Sequence, residues 1–164
     1  MKRPLIIRRP GRNRERGFTM ALVAVAMMAI LAMAALSIDA VTLYLAREEA
    51  QRAADAAALA GARILSLSGM TGDPSDATSS WSPACNAATT VATAIAQQNQ
   101  IAGQSLPAAQ IAVTFPNNPG CAGGSAVFGI NPEVSVKVTR QNLPTFFARI
   151  WGSTSATVAA SATA

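Results

Sequence analysis

The side chains able to do chemistry in this 164-residue chain are few. There are two cysteines, Cys85 and Cys121, a scatter of carboxylates, and no histidine. A catalytic triad that depends on histidine is therefore impossible. With two thiols and no imidazole, a zinc site of ordinary type is excluded as well. The carboxylates form no convergent acid–base pair, because Glu48 and Glu49 are adjacent on a helical stretch and point to different sides. Lys137 falls on the polar face of a strand pattern and reads as a solvated lysine rather than the base of a Ser/Lys dyad. Gly123-Gly124 reads as a turn, not a phosphate-binding loop. Asp39, just past a long apolar run, reads as a hydrated carboxylate at a membrane boundary. No residue is assigned to catalysis, metal binding or a cofactor. Cys85 and Cys121 remain, and an oxidising compartment favours a disulfide between them over two free thiols. It would close a loop of about 37 residues, worth roughly 3–4 kcal/mol in the chain-entropy model.

The compartment follows from the element that precedes these residues. Phe18 to Ile38 is a run of 21 uncharged, mostly apolar residues. As a helix it is about 31 Å long, close to the hydrocarbon thickness of a bilayer. Seven basic side chains stand before it, Arg8, Arg9, Arg12, Arg14 and Arg16 among them, opposed only by Glu15. That asymmetry predicts a cytoplasmic N-terminus and an exported body. The chain's net charge of +5 and pI of about 10.2 come from this tail. Residues 39–164 carry six basic and seven acidic side chains, so nucleic-acid binding by the exported part is disfavoured. The arginines read as topology determinants and contacts to anionic lipid. The apolar run is longer than the core of a signal peptide, about 7–15 residues, which favours an uncut anchor. Release by cleavage, for instance after Ala32-Met33-Ala34, is the alternative, and it would make the chain a secreted or periplasmic enzyme or binding protein.

Helical character continues beyond the run. From Asp39 to Leu65 there is no proline and one glycine, Gly61, among good helix formers. Leu43, Ala46, Ala50, Ala53, Ala57, Ala60 and Ile64 recur at alternating three- and four-residue steps, a heptad seam made mostly of alanine. Arg47, Glu48, Gln51, Arg52 and Asp55 occupy the other side, and Tyr44 reads as an interfacial aromatic. The seam predicts docking of a partner helix, from a second copy or another protein. Packing against the chain's own following domain is the competing expectation.

The expected organisation is α+β. A basic tail (1–17), a transmembrane helix (18–38) and an extracytoplasmic helical stalk (39–66) lead through a linker (67–86) rich in Gly, Pro and Ser into a small domain (87–164) with an antiparallel sheet and short helices. A helix is predicted from Ala87 to Gln100, stopped by Gly103. Ile111, Val113 and Phe115 alternate as a strand, and Val127-Phe128 as a short one. Val134, Val136 and Val138 face one way on the clearest strand, Glu133 to Arg140. Pro144 opens a short helix, Thr145 to Trp151, ended by Gly152, and Ser153 to Thr163 is the last strand. Phe146, Phe147, Ile150 and Trp151 are expected to plug a face of the sheet, with an exposed adhesive patch as the alternative.

Several of these stretches carry a resemblance. Arg16-Gly17-Phe18 entering the run, Ser37-Ile38-Asp39 leaving it, Leu43-Tyr44-Leu45-Ala46-Arg47, and the stretch from Gln51 to Ala62 around Ala-Ala-Asp-Ala-Ala-Ala-Leu-Ala resemble the N-terminal region of TadG-like proteins of the Flp (Tad) pilus-assembly systems. The C-terminal Pro-Thr-Phe-Phe-Ala-Arg segment is similar to shorter members. The resemblance implies a bacterial inner-membrane protein with a periplasmic body, non-enzymatic, that helps build or anchor adhesive pili alongside other pilus-assembly proteins. Longer members carry a metal-dependent adhesion site. Asp76-Ala77-Thr78-Ser79-Ser80 matches its pattern only superficially, since no buried apolar strand precedes it. Gly17-Phe18-Thr19 resembles a prepilin cleavage site, but Leu22 stands where pilins carry a glutamate that neutralises the new N-terminus. The uncut anchor is favoured, and a processed pilin-like subunit is the alternative.

Overall fold

A computed structural model describes residues 13–69, 81–116, 121 and 132–164. Its first element, α1 (Asn13–Leu67), holds 55 residues. It begins five residues earlier than expected from the apolar run alone. Chain contacts divide the protein into two units at Ile38/Asp39, so α1 contributes to both. The first unit contains the apolar run. The second, residues 39–164, contains both the expected stalk and the following domain. The stalk is thus a structural member of that domain and does not stand apart from it.

In the second unit α1 is followed by α2 (Trp81–Gln98), the short strands β1 (Gln100–Ile101) and β2 (Gln104–Ser105), then β3 (Ile111–Thr114), β4 (Ser135–Pro144) and β5 (Ser155–Thr163). Strands β3, β4 and β5 form an antiparallel sheet in that order. The mixed α+β architecture is as expected. The alternation of Val134, Val136 and Val138 places all three on the buried face. Opposite them β5 offers small residues, Ala162 against Val136 and Ala160 against Val138. The ladder is extended by Val134 and Ala164, which exchange both backbone hydrogen bonds at 2.8 and 3.0 Å.

Three boundaries differ from expectation. Helix α2 starts at Trp81, not Ala87, so residues 81–86 belong to the helix and not to a linker. Pro83 is tolerated there because the first helical turn has no internal N–H bond to lose. Trp81 ties this end down, fully buried and edge-on to Phe115, with ring centroids 5.3 Å apart. Gly103 does not end α2. With Ala102 it forms the two-residue turn of the β1–β2 hairpin, both residues at positive φ (52° and 72°), as such a tight hairpin requires. Pro144 ends β4 instead of opening a helix, and a single 3-10 turn, Ala148–Trp151, follows. Gly152 does end it, in the left-handed conformation at φ 86°. The proposed strand Val127-Phe128, Gly123-Gly124 and the 76–80 motif lie outside the described residues.

One core joins these elements. Helix α1 contributes Ala46, Ala50, Ala53, Ala54, Ala57, Ala58 and Leu65, and α2 contributes Trp81, Ala84, Cys85, Ala88, Ala92 and Ala96. Alanine rows on both helices bury little area per residue but let backbones approach closely. Gly61 marks a point of close approach. A methyl added there would come 3.0 Å from a Val134 methyl, 3.4 Å from the Ala92 Cβ and 3.6 Å from the Ala88 carbonyl oxygen. Gly61→Ala gains about 1 kcal/mol of helix propensity and loses a similar amount to crowding, so its stability should stay near that of the parent. Gly61→Leu has no room and should lose about 2–3 kcal/mol in urea unfolding.

Candidate anchor and assembly interface

The apolar run is bare. Within its most apolar window no residue is buried by protein, and by length and composition the helix can cross a membrane. Phe18, Met28 and Leu31 are each about two-thirds or more exposed. A surface this apolar and continuous is unfavourable in water and suits hydrocarbon. Of the basic flank, Arg8, Arg9 and Arg12 lie outside the described residues. Arg14 and Arg16 fall in the first turns of α1.

Asp39 ends the run and begins the second unit, and its environment differs from the hydrated boundary expected. It is 4% exposed. Its carboxylate accepts three backbone N–H groups from the loop after β4: Phe146 at 3.0 Å on Oδ1, then Phe147 at 2.9 Å and Ala148 at 2.7 Å on Oδ2. These are the otherwise unpaired donors that open the 3-10 turn, so Asp39 caps that turn from a helix 107–109 residues away in sequence. The bond from Ala148 depresses the carboxyl's pKa most. Desolvation pushes against it, and the bonds from Phe146 and Phe147 add to the lowering. The cap therefore works only with the ionised carboxylate. The unfolded chain takes up the proton more readily, so stability rises with pH through this titration. It is fully present above the ordinary aspartate value of 3.8 and is lost as pH falls below it. Asp39→Asn should lower the melting temperature at neutral pH and flatten its acid dependence below about pH 4, read by thermal melts from pH 2 to 7.

The loop is braced further. Thr145 Oγ1 donates to the Ser153 carbonyl at 2.5 Å, and Ser153 N to the Ala148 carbonyl at 3.2 Å. Phe146 and Ile150 do not plug the sheet as expected. Phe146 is 61% and Ile150 76% exposed, while Phe147 is half-buried.

The alanine seam is also placed differently from a partner-docking stripe. Ala46, Ala50, Ala53 and Ala57 are buried, but by the chain's own domain, while Leu43, Ala60 and Ile64 are only half-buried. The buried face instead takes in Ala54, Ala58, Gly61 and Leu65. An α-helix without supercoil drifts about 20° per heptad from a strict seven-residue repeat, which rotates positions 60 and 64 out and 61 and 65 in. Polar contacts fasten both sides of this face. Glu49 accepts the Ala102 N–H at 2.7 Å and Gln51 Nε2 donates to the Ser161 carbonyl at 3.3 Å. The face of α1 left open carries Val41, Leu45 and Leu59 around Glu48, Arg52 and Asp55.

Cys85 and Cys121 are joined by a disulfide, Cα to Cα 5.3 Å, across 36 residues. It fixes the buried face of α2 to the segment after β3. Two site residues were not legible in the sequence as such. Gly61 showed only as a lone glycine in a helix, and Asp39 as a lone acid at the end of the run. No group of three or more potential metal ligands occurs among the described residues.

Fold and site define a class of molecule: a small disulfide-closed α+β domain built on the second half of a helix whose first half is bare and apolar. Residues 17–63 match the family model described as putative Flp pilus-assembly TadE/G-like. The match takes in the apolar run, Asp39 and the alanine face through Gly61, and stops before α2. That family is one of structural and assembly proteins. No curated protein and no solved structure matches the chain.

Proposed function

We propose that this chain is a single-span anchor and assembly component of a Flp (Tad) type pilus or its associated secretion apparatus. It sits in a bacterial inner membrane with its N-terminus cytoplasmic and residues 39–164 periplasmic, and it works without catalysis, metal or cofactor. The observation that carries this reading is a coincidence: the segment matching the pilus-assembly family is the one that contains both the bare apolar run and the helix on which the domain is built. The basic residues before the run support this orientation, and the disulfide suits an oxidising exterior.

Lipid contacts the run. Protein partners, or a second copy, meet the open face of α1, where Val41, Leu45 and Leu59 flank Glu48, Arg52 and Asp55. Docking along the alanine seam would require the domain to lift off its own core. The test is complementation in a pilus-bearing strain lacking this gene. The full chain should restore surface pili, and a version with residues 1–38 replaced by a cleavable signal peptide should not. Pili restored by the released domain would overturn the anchor role, and recovery of a chain beginning at Phe18 inside the fibre would make it a subunit.

A further inference from the structure

We propose that the loop of residues 145–150 is a membrane-seating element, which lays the exposed side chains of Phe146 and Ile150 into the headgroup layer of the bilayer that the span enters. The inference rests on the anchor reading and adds a second, independent lipid contact within the domain. Its basis is continuity. Asp39 is covalently joined to Ile38, the last residue of the apolar run, and consecutive Cα atoms are about 3.8 Å apart. The same Asp39 holds the backbone of Phe146, Phe147 and Ala148 at 2.7–3.0 Å. The loop is therefore fastened to the residue at which the run ends. A headgroup layer occupies roughly 5–8 Å on each side of the hydrocarbon. A loop bound to the terminal residue of a span lies within or beside it.

The side chains there suit that medium. Among the described side chains, Phe146 and Ile150 are the large apolar residues most exposed in the sheet half of the domain, at 61% and 76%. Between them Arg149 is exposed, and no acidic residue occurs from Leu143 to Ala164. Aromatic and aliphatic groups beside a cation match an interface of acyl chains and anionic headgroups. Among the described residues the carboxylate at the loop is Asp39, which is buried and engaged by three N–H donors, so its oxygens are directed at backbone and not exposed to lipid. The two sides of the cap thus act together: the carboxylate holds the backbone of the turn, and Phe146 and Ile150 on that turn remain exposed.

The experiment uses the full chain in phosphatidylethanolamine/phosphatidylglycerol vesicles, with an environment-sensitive dye on a single introduced cysteine. The two native cysteines are held in the disulfide and do not compete for label. Ile150→Cys reports on the loop and Met28→Cys on the span. Ser161→Cys is the aqueous control, beside Gln51, about 18 Å further along α1 than Asp39. The expected result is blue-shifted emission at positions 28 and 150, quenched in both when the lipids carry brominated acyl chains, with neither effect at 161. Quenching at 28 but not at 150 overturns the seating element and leaves the anchor standing. A blue shift at 150 without bromine quenching also overturns it, in favour of a protein covering the patch. No quenching at 28 overturns the anchor reading itself and the inference with it.

Discussion

Ala54→Glu should unfold the unit of residues 39–164, whereas Arg52→Glu, two residues away, should leave it folded. Ala54 is fully buried on the face of α1 that carries the core, and Arg52 is exposed. A carboxylate at 54 would be buried within the hydrophobic core cluster. Removing an ionised group from water without a partner costs several kcal/mol, and the longer side chain adds about 1–3 kcal/mol of overpacking. Small domains have only about 5–15 kcal/mol to lose. The check is urea unfolding of the full chain in detergent, followed by tryptophan fluorescence, since Trp81 packs on Phe115 and senses the core. Glutamates at Ala50, Ala53 and Ala57, which the sequence alone would offer as a way to abolish partner capture, should likewise unfold the domain. Partner capture is better probed on the open face, with Leu45→Glu and Leu59→Glu.

Loss of the disulfide is the other large effect. Cys85→Ala with Cys121→Ala should cost roughly 3–4 kcal/mol, because the bond closes 36 residues and its removal returns that freedom to the unfolded chain. Alanine is the right replacement, since Cys85 is fully buried beside Ala84 and Ala88 and a hydroxyl there would be costly. Reductant should shift the urea midpoint of the parent by the same amount and leave the double variant unchanged. Expression in the reducing cytoplasm should give a less stable domain than export does.

What the sequence makes legible, and what it does not, divides along physical lines. Periodic patterns survive folding, so the buried valines of β4, the alanines at 46, 50, 53 and 57, and the turn at Gly152 can all be read in advance. Periodicity says that a face is covered, not by what. The alanine stripe that suits a partner helix suits the chain's own α2 and sheet equally well, and a heptad and a 3.6-residue repeat separate only after several turns. Proline and serine before Cys85 read as a loop, because nothing local reveals that Trp81 will find Phe115 34 positions on. The Asp39 cap is the least legible feature. Its donors are backbone N–H groups, which leave no mark in the sequence, and more than a hundred residues intervene. An aspartate at the end of an apolar run looks the same whether water or a distant loop receives it. Phe146 and Ile150 stand exposed on the turn that this cap holds, and their exposure was hidden for the same reason.

The most direct test of the account is the intact mass of the chain after alkaline extraction of membranes. If residues 18–38 remain in lipid as the anchor of the domain they lead into, the pellet should hold the chain at its full 164-residue mass. A soluble species whose mass begins beyond Ile38 would contradict it, because the domain would then be released and the bare half of α1 would have no part in its function.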